Sequence, residues 1–172
     1  YFNAIRELAG AVALGRQDIR ERIAFLSPTP RLLDEDEPIE LSSRADSLKL
    51  PGLLERLAER VASGAAVGTV VATSMFGTGV DVSRLGLMFV HGQPKTSSSY
   101  IQATGRVGRE CGGLVVTFYR AARPRDLSHY EFFVGYHREL YRQVEPITVN
   151  PFSPRARDRA LGPVAVALLR QA

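Results

Sequence analysis

The chain reads as an α/β protein: a parallel sheet with helices on both faces, followed by a helical extension. Three observations predict this. Near-continuous apolar runs occupy Thr69–Thr73, Leu85–Val90 and Leu114–Tyr119, and runs of this kind suit strands buried on both sides. Helix-like segments alternate with them, most clearly Leu50–Val61. The first run leads into a glycine-bearing turn with an acid at its end, ATSMFGTGVD (Ala72–Asp81), the kind of loop that follows a strand in a ligand-binding sheet.

Composition sets the bounds. With 172 residues, 45% hydrophobic and 23% charged, the chain is long enough for a core and too apolar to be disordered. The net charge of +4 is compatible with a nucleic-acid partner and equally with an ordinary soluble protein. Lys49 and Lys95 are the two lysines, so arginine supplies nearly all the positive charge. The single cysteine, Cys111, excludes an internal disulfide and a multi-cysteine zinc site and fits a reducing, cytoplasmic setting. No apolar run reaches the roughly 18–20 residues of a membrane span, and no signal-peptide pattern is present. The chain begins at Tyr1 in mid-pattern and is expected to be a piece of a longer protein with its first strand cut short.

In chain order, Tyr1-Phe2 is expected to end a strand, and Asn3 to cap a helix whose face carries Ile5, Leu8, Ala9 and Val12. Arg22–Leu26 is a short strand or a helix tail. Ser27–Pro38 is a loop by its prolines. Within it Leu32–Glu37 (LLDEDE) imitates a magnesium-binding acidic box, but the apolar lead-in is two residues long and no GxxxxGK[ST] loop precedes it; a solvated acidic loop is the better account. Ile39–Leu41 is a short strand. Leu50–Val61 places Leu50, Leu53, Leu54, Leu57, Ala58 and Val61 on one helical face, with Pro51 in the first turn and Gly64 as the stop. Asp126–Val144 reads as one long helix rich in Tyr and Phe, Thr148–Pro154 as a linker, and Ala156–Arg170 as a last helix interrupted by Gly162-Pro163. The expected division is a sheet domain over residues 1–125 and a helical extension over 126–172.

Two stretches carry chemistry. Tyr100–Arg109 (YIQATGRVGR) is expected to be a helix entered from Ser97 or Ser98, with Gln102, Arg106 and Arg109 at i, i+4 and i+7 on one face. Arginine presents a rigid fork of donors that matches phosphate oxygens, and two such forks can hold a terminal phosphate and neutralise charge developing on it. In Ala72–Asp81, Gly77 and Gly79 allow a tight turn with exposed N–H groups, while Thr73, Ser74 and Thr78 add hydroxyls able to meet a nucleic-acid backbone. Asp81 could accept a ribose hydroxyl or hold an arginine. Each stretch alone also has a plain reading, as a solvated arginine pair or an ordinary strand–helix loop.

Together, in this order and separation, they resemble motifs V and VI of superfamily 2 helicases: Thr73…Gly79-Val80-Asp81, then Gln102-Ala103-Thr104-Gly105-Arg106-Val107-Gly108-Arg109. YFNAIREL, LGLMFVHGQPKTSSSYIQATGRVGR, ARPRDLSHYEFF and PFSPRARDRAL extend the likeness to the C-terminal helicase portion of DrmA-type proteins, the helicase component of the DISARM anti-phage system. Phe76-Gly77-Thr78 departs from the expected motif V, without touching Asp81.

The resemblance implies a RecA-like domain, the second of two, in an ATP-driven DNA helicase or translocase of bacterial defence. Arg106 and Arg109 would act on ATP held with Mg²⁺ by a preceding RecA-like domain of the same chain, Arg109 as the catalytic finger. Asp81, Gly79 and Gln102 would lie on the ATP side, and Thr73, Ser74, Gly77 and Lys95 on the nucleic acid, DNA rather than RNA. Tyr1-Phe2-Asn3 would end motif IV. A defence-system subunit is a further partner, and the fragment alone is not expected to hydrolyse ATP. The competing class is a RecA-like module that binds nucleic acid or a partner without using ATP.

Other residues carry less. Lys95, in the turn Gln93–Thr96, could meet a phosphate or simply turn the chain. Arg120, Arg123 and Arg125 read as a solvated loop or part of a nucleic-acid path. Tyr130, Phe133, His137 and Tyr141 recur at helical spacing and read as packing. His91, His129 and His137 lack partners at metal-ligand spacing, and Cys111 has no adjacent histidine to activate it.

Overall fold

A computed structural model describes residues 1–26, 37–46, 48–74, 81–142, 144–145 and 154–171. Four strands, β1 (Ile39–Leu41), β2 (Val70–Ala72), β3 (Leu87–His91) and β4 (Leu114–Phe118), pair in parallel, β1 with β2 and β3 with β4. Tyr1-Phe2 joins the two pairs. The Phe2 N–H donates to Ala72 O at 2.8 Å, and the His91 N–H donates to Tyr1 O at 2.9 Å. The order is therefore β1–β2–(Tyr1-Phe2)–β3–β4, all running one way, an α/β sheet of the RecA-like kind.

One face of this sheet holds the main core. Ile39, Leu41, Ala72, Met88 and Val90 meet Leu57 of α3 (Leu50–Ala58), together with Val67 and Val82. The leucines at i, i+3, i+4 and i+7 put α3 on that face, as the sequence pattern predicts. The helix stops earlier than expected, at Ala58, and a short 3₁₀ turn (Val61–Ser63) leads to Gly64 at φ 77°. The buried Tyr100 and Ala103 of α4 (Ser97–Thr104) face the same side.

On the other face α1 (Ile5–Leu14) packs against β2, with Leu8 fully buried. It runs through a π turn (Gly15–Ile19) into α2 (Arg20–Leu26), so Arg22–Leu26 is a helix tail. Coverage on this face is unequal. Phe89 and Phe118 are each 60% exposed, and a groove of about 570 Å³ runs between Gly15 and Ile19 on one side and Leu87, Phe89 and Phe118 on the other.

Three expected details change. Asn3 does not cap α1, whose N-cap is Ala4; its side-chain amide donates instead to His91 O (3.1 Å) and Gly92 O (2.9 Å), because the sheet edge lies within reach. The single helix expected over Asp126–Val144 is two, α5 (Pro124–Glu131) and α6 (Phe133–Arg138), broken where Phe132 leaves helical geometry at φ −102°, ψ 20°. Conversely, α7 (Pro154–Gln171) runs unbroken through Gly162-Pro163; the missing proline donor costs one hydrogen bond without ending the helix.

Two buried carboxylates organise the strand ends. Asp126, 1% exposed, accepts from the backbone N–H groups of Gln93 and Arg120, both at 3.0 Å, and so ties the C-terminal ends of β3 and β4 to α5. Glu37, the last residue of the acidic stretch, is buried and accepts from Gly68 N (2.8 Å) and Thr69 N (2.9 Å) at the entry to β2. The rest of the LLDEDE reading lies outside the described residues. Glu37→Ala leaves two amides without this acceptor and is expected to lower the unfolding free energy by about 3 kcal/mol, read from the urea midpoint.

Candidate functional site

The site is built around α4 and the loop after it. Thr96, not Ser97 or Ser98, is the N-cap: its Oγ1 accepts from Ser99 N at 3.1 Å. The N–H groups of Ser97 and Ser98 donate to the carboxylate of Glu145, at 2.8 and 3.2 Å. The Ser97 N–H, with smaller contributions from the Glu145 and Ser98 N–H groups, holds this carboxyl below the usual range. Tyr100 lies under the helix. Burial pushes its hydroxyl up, so it stays protonated and donates to His137 Nε2 at 3.0 Å; His137 Nδ1 donates in turn to Phe133 O at 2.8 Å.

The helix ends sooner than the spacing predicts, which is a correction to the arginine face. Thr104 is its last residue, and Gly105 its C-cap. Arg106 and Arg109 therefore sit in a loop, not one and two turns along a helix from Gln102. Arg106 N still bonds Ala103 O (3.2 Å) and Val107 N bonds Thr104 O (3.3 Å), but Gly108 N turns to Leu85 O at 2.7 Å. Gly108 has φ 77°, and a Cβ there would lie 2.8 Å from Gly113 N. Only glycine allows that turn and that approach. The loop is thereby docked on the segment entering β3, and Leu114 N closes it on Gly86 O at 2.8 Å. Glu110 is fixed by Ser83 Oγ (2.7 Å) and Arg60 Nη2 (3.1 Å).

Within this loop Arg109 Nε donates to Gly105 O at 3.3 Å, and its Nη1 pairs closely with Asp81 Oδ1. The pair is accessible: the Asp81 side chain is 68% exposed. Arg106 is half-buried in the same loop. Asp81, Arg106 and Arg109 thus gather near the N-terminal ends of β3 and β4. Thr73 and Ser74 follow the C-terminal end of β2, and Lys95 follows that of β3. A five-residue strand at 3.3 Å per residue separates the two groups by roughly 16 Å. Thr73 is buried with its N–H on Leu41 O (3.1 Å), whereas Ser74, Lys95 and Gln102 are exposed. Gly77 and Gly79 lie outside the described residues.

The arginines after β4 are engaged with the protein. Arg120 Nη1 reaches Glu7 Oε1 at 2.6 Å, Arg123 pairs with the same oxygen, and Arg125 Nη1 meets Gln93 O at 3.4 Å. The aromatic stripe packs in part: Tyr119 contacts Tyr130 and Phe133, while Tyr141 is exposed. Burial raises the Tyr119 hydroxyl to about 12. Among the described residues no group of three or more His, Cys, Asp or Glu could hold a metal ion. The spacing rules missed Glu145, Tyr136 and Glu37, each set by contacts across 30 or more residues.

Residues 42–111 match the helicase conserved C-terminal domain, a span that takes in Thr73, Asp81, Arg106 and Arg109. The resemblance to the second RecA-like domain of superfamily 2 helicases therefore holds. More particularly, the chain is 49% identical over 99% of its length to the DISARM protein DrmA of Bacillus paralicheniformis, of which it spans 15%. It is also 32% identical over 48% of its length to the DEAD-box ATP-dependent RNA helicase 56 of Oryza sativa subsp. japonica, covering 20% of that protein.

The docking of the loop gives a direct test. Gly108→Ala is expected to cost about 2–4 kcal/mol, from the left-handed backbone and the overlap with Gly113. Gly112→Ala, where a Cβ meets nothing within 4 Å, should leave the urea midpoint unchanged.

Proposed function

We propose that this chain is the second motor domain of an ATP-dependent superfamily 2 helicase or translocase, acting on DNA in anti-phage defence. The observation that carries this reading is the glycine-locked loop that holds Arg109 on Asp81 at an accessible edge of the sheet. The 49% identity to DISARM protein DrmA supports the defence role; DNA as the track is part of the proposal. The division into a motor domain over residues 1–125 and an extension over 126–172 belongs to the same reading, as does a cytoplasmic location. Among the described residues no helix is long and apolar enough to cross a membrane.

The residues present fit half of an ATP site. Two guanidinium groups on a rigid loop suit a terminal phosphate approached from outside the domain, and ATP supplies the phosphoryl group whose hydrolysis drives the motor. The Mg²⁺ and the phosphate-binding loop belong to the preceding RecA-like domain. Arg109 would leave Asp81 to stabilise charge on the γ-phosphate, Arg106 would add a second fork, and Asp81, Gly79 and Gln102 would line the nucleotide side. Asp81 keeps Arg109 extended until the domains close. Thr73, Ser74 and Lys95, at the other end of the strands, would follow the DNA backbone by contacts that do not read sequence, and Gly77 is assigned to the same track. A defence-system subunit would join the intact assembly.

In the full-length protein, Arg109→Ala is expected to lower DNA-stimulated ATP turnover by about 10³-fold or more, with ATP binding largely retained. Unchanged turnover would refute the finger assignment and favour a binding module that does not use ATP.

A further inference from the structure

The contacts that reach α4 from the C-terminal segment serve none of the roles above. They converge on one end of the helix. Glu145 takes the first two amides of α4, Ser97 N and Ser98 N. The Tyr136 hydroxyl donates to Ser97 Oγ at 3.2 Å and accepts from Gln93 Nε2 at 3.3 Å, inside the protein, where both Tyr136 and Gln93 are buried. His137 accepts from Tyr100 one turn further on. Edge-on ring contacts of Tyr136 with Tyr100 and of His137 with Tyr100 fill the space between.

The other end of α4 is the arginine loop. Gly105 N, Arg106 N and Val107 N donate to the carbonyls of Ile101, Ala103 and Thr104, so hydrogen bonding continues across the C-cap Gly105 into the loop. An eight-residue helix is about 12 Å long, and its ladder of hydrogen bonds makes it stiff. A displacement of its first turn is therefore carried to Arg106 and Arg109 rather than absorbed along the way.

We propose that α6 and Glu145 form a positioning arm that sets where α4 lies and hence where Arg109 reaches. Glu145, Tyr136 and His137 are positioning residues: none lies among the residues assigned to ATP or DNA, and all three act through α4. The inference rests on the arginine-finger reading, which it deepens by making turnover depend on the extension after α5. It also gives the extension a mechanical role, because anything that pulls Glu145 away from Ser97 shifts the finger.

The test uses Glu145→Gln and Tyr136→Phe in the full-length protein. Glu145 is exposed, so its variant keeps the fold, and Tyr136→Phe keeps the ring packing while removing the hydroxyl. Both are expected to lower kcat for DNA-stimulated ATP hydrolysis by about tenfold with KM for ATP unchanged, since sub-ångström misplacement of a reacting group is costly. Amide hydrogen exchange should quicken at residues 105–109 as well as at 97–99. Exchange changes confined to 97–99, or kcat within about twofold of the parent in both variants, would overturn the arm. Combining Arg109→Ala with Glu145→Gln should give no loss beyond Arg109→Ala alone, and an additive loss would also overturn it. If Arg109→Ala itself left turnover intact, the finger reading would fail, while exchange at residues 105–109 would still decide the arm.

Discussion

Main-chain hydrogen bonds through Tyr1-Phe2 hold the sheet in one piece: Phe2 N–H to Ala72 O, His91 N–H to Tyr1 O, and Tyr1 N to Phe89 O. β1–β2 and β3–β4 are otherwise separate parallel pairs. Once Tyr1-Phe2 bridges them, every strand points the same way and the two ends of the strands carry different residues. Loops after strands gather at one edge, with Thr73, Ser74 and Lys95. Segments entering strands gather at the other, with Asp81 and the arginine loop. Parallel direction, imposed by helical crossovers, keeps apart the two groups that the sequence joins in one stretch from Ala72 to Arg109.

The arginine edge is precise because glycine makes it so. Gly108 turns left-handed and comes within backbone contact of Gly113, which lets its N–H reach Leu85 O. The arginines on either side of Gly108 are then placed by backbone rather than by long side chains alone. A flexible guanidinium on a fixed base suits the proposed exchange of one anion, the Asp81 carboxylate, for another. The same logic explains Thr96 and Glu145 at the opposite end of α4. A short helix has four unpaired N–H groups at its start, and here the adjacent Thr96 hydroxyl and the distant Glu145 carboxylate take three of them.

Periodicity made much of the fold legible. Leu50, Leu53, Leu54 and Leu57 point one way in sequence and in space, and the three apolar runs are strands within two residues of their expected ends. The motifs were legible too, because Gln102–Arg109 is a contiguous pattern whose meaning does not depend on exact geometry. Where helices stop was not. The spacing of Gln102, Arg106 and Arg109 implies a helical face, but a glycine pair with a tertiary contact to Leu85 outweighs local spacing. Asp126–Val144 looked continuous because its aromatic residues recur at helical intervals, yet Phe132 breaks it and α6 turns its Tyr136 into the core. Asn3 bonds the sheet rather than capping α1 because a distant strand end offers two carbonyls. Glu145 had no sequence signal at all: nothing local marks an acid that meets amides 47 and 48 residues away.

The central proposal is physical: a rigid, glycine-docked loop delivers Arg109 to a phosphate held by another domain. The most direct measurement is a structure of the full-length protein with DNA and ADP–aluminium fluoride. The Arg109 guanidinium is expected to have turned from Asp81 onto the fluoride group at about 2.7–2.9 Å, with Gly108 N still on Leu85 O. Arg109 remaining on Asp81 in the closed, DNA-bound state would contradict it.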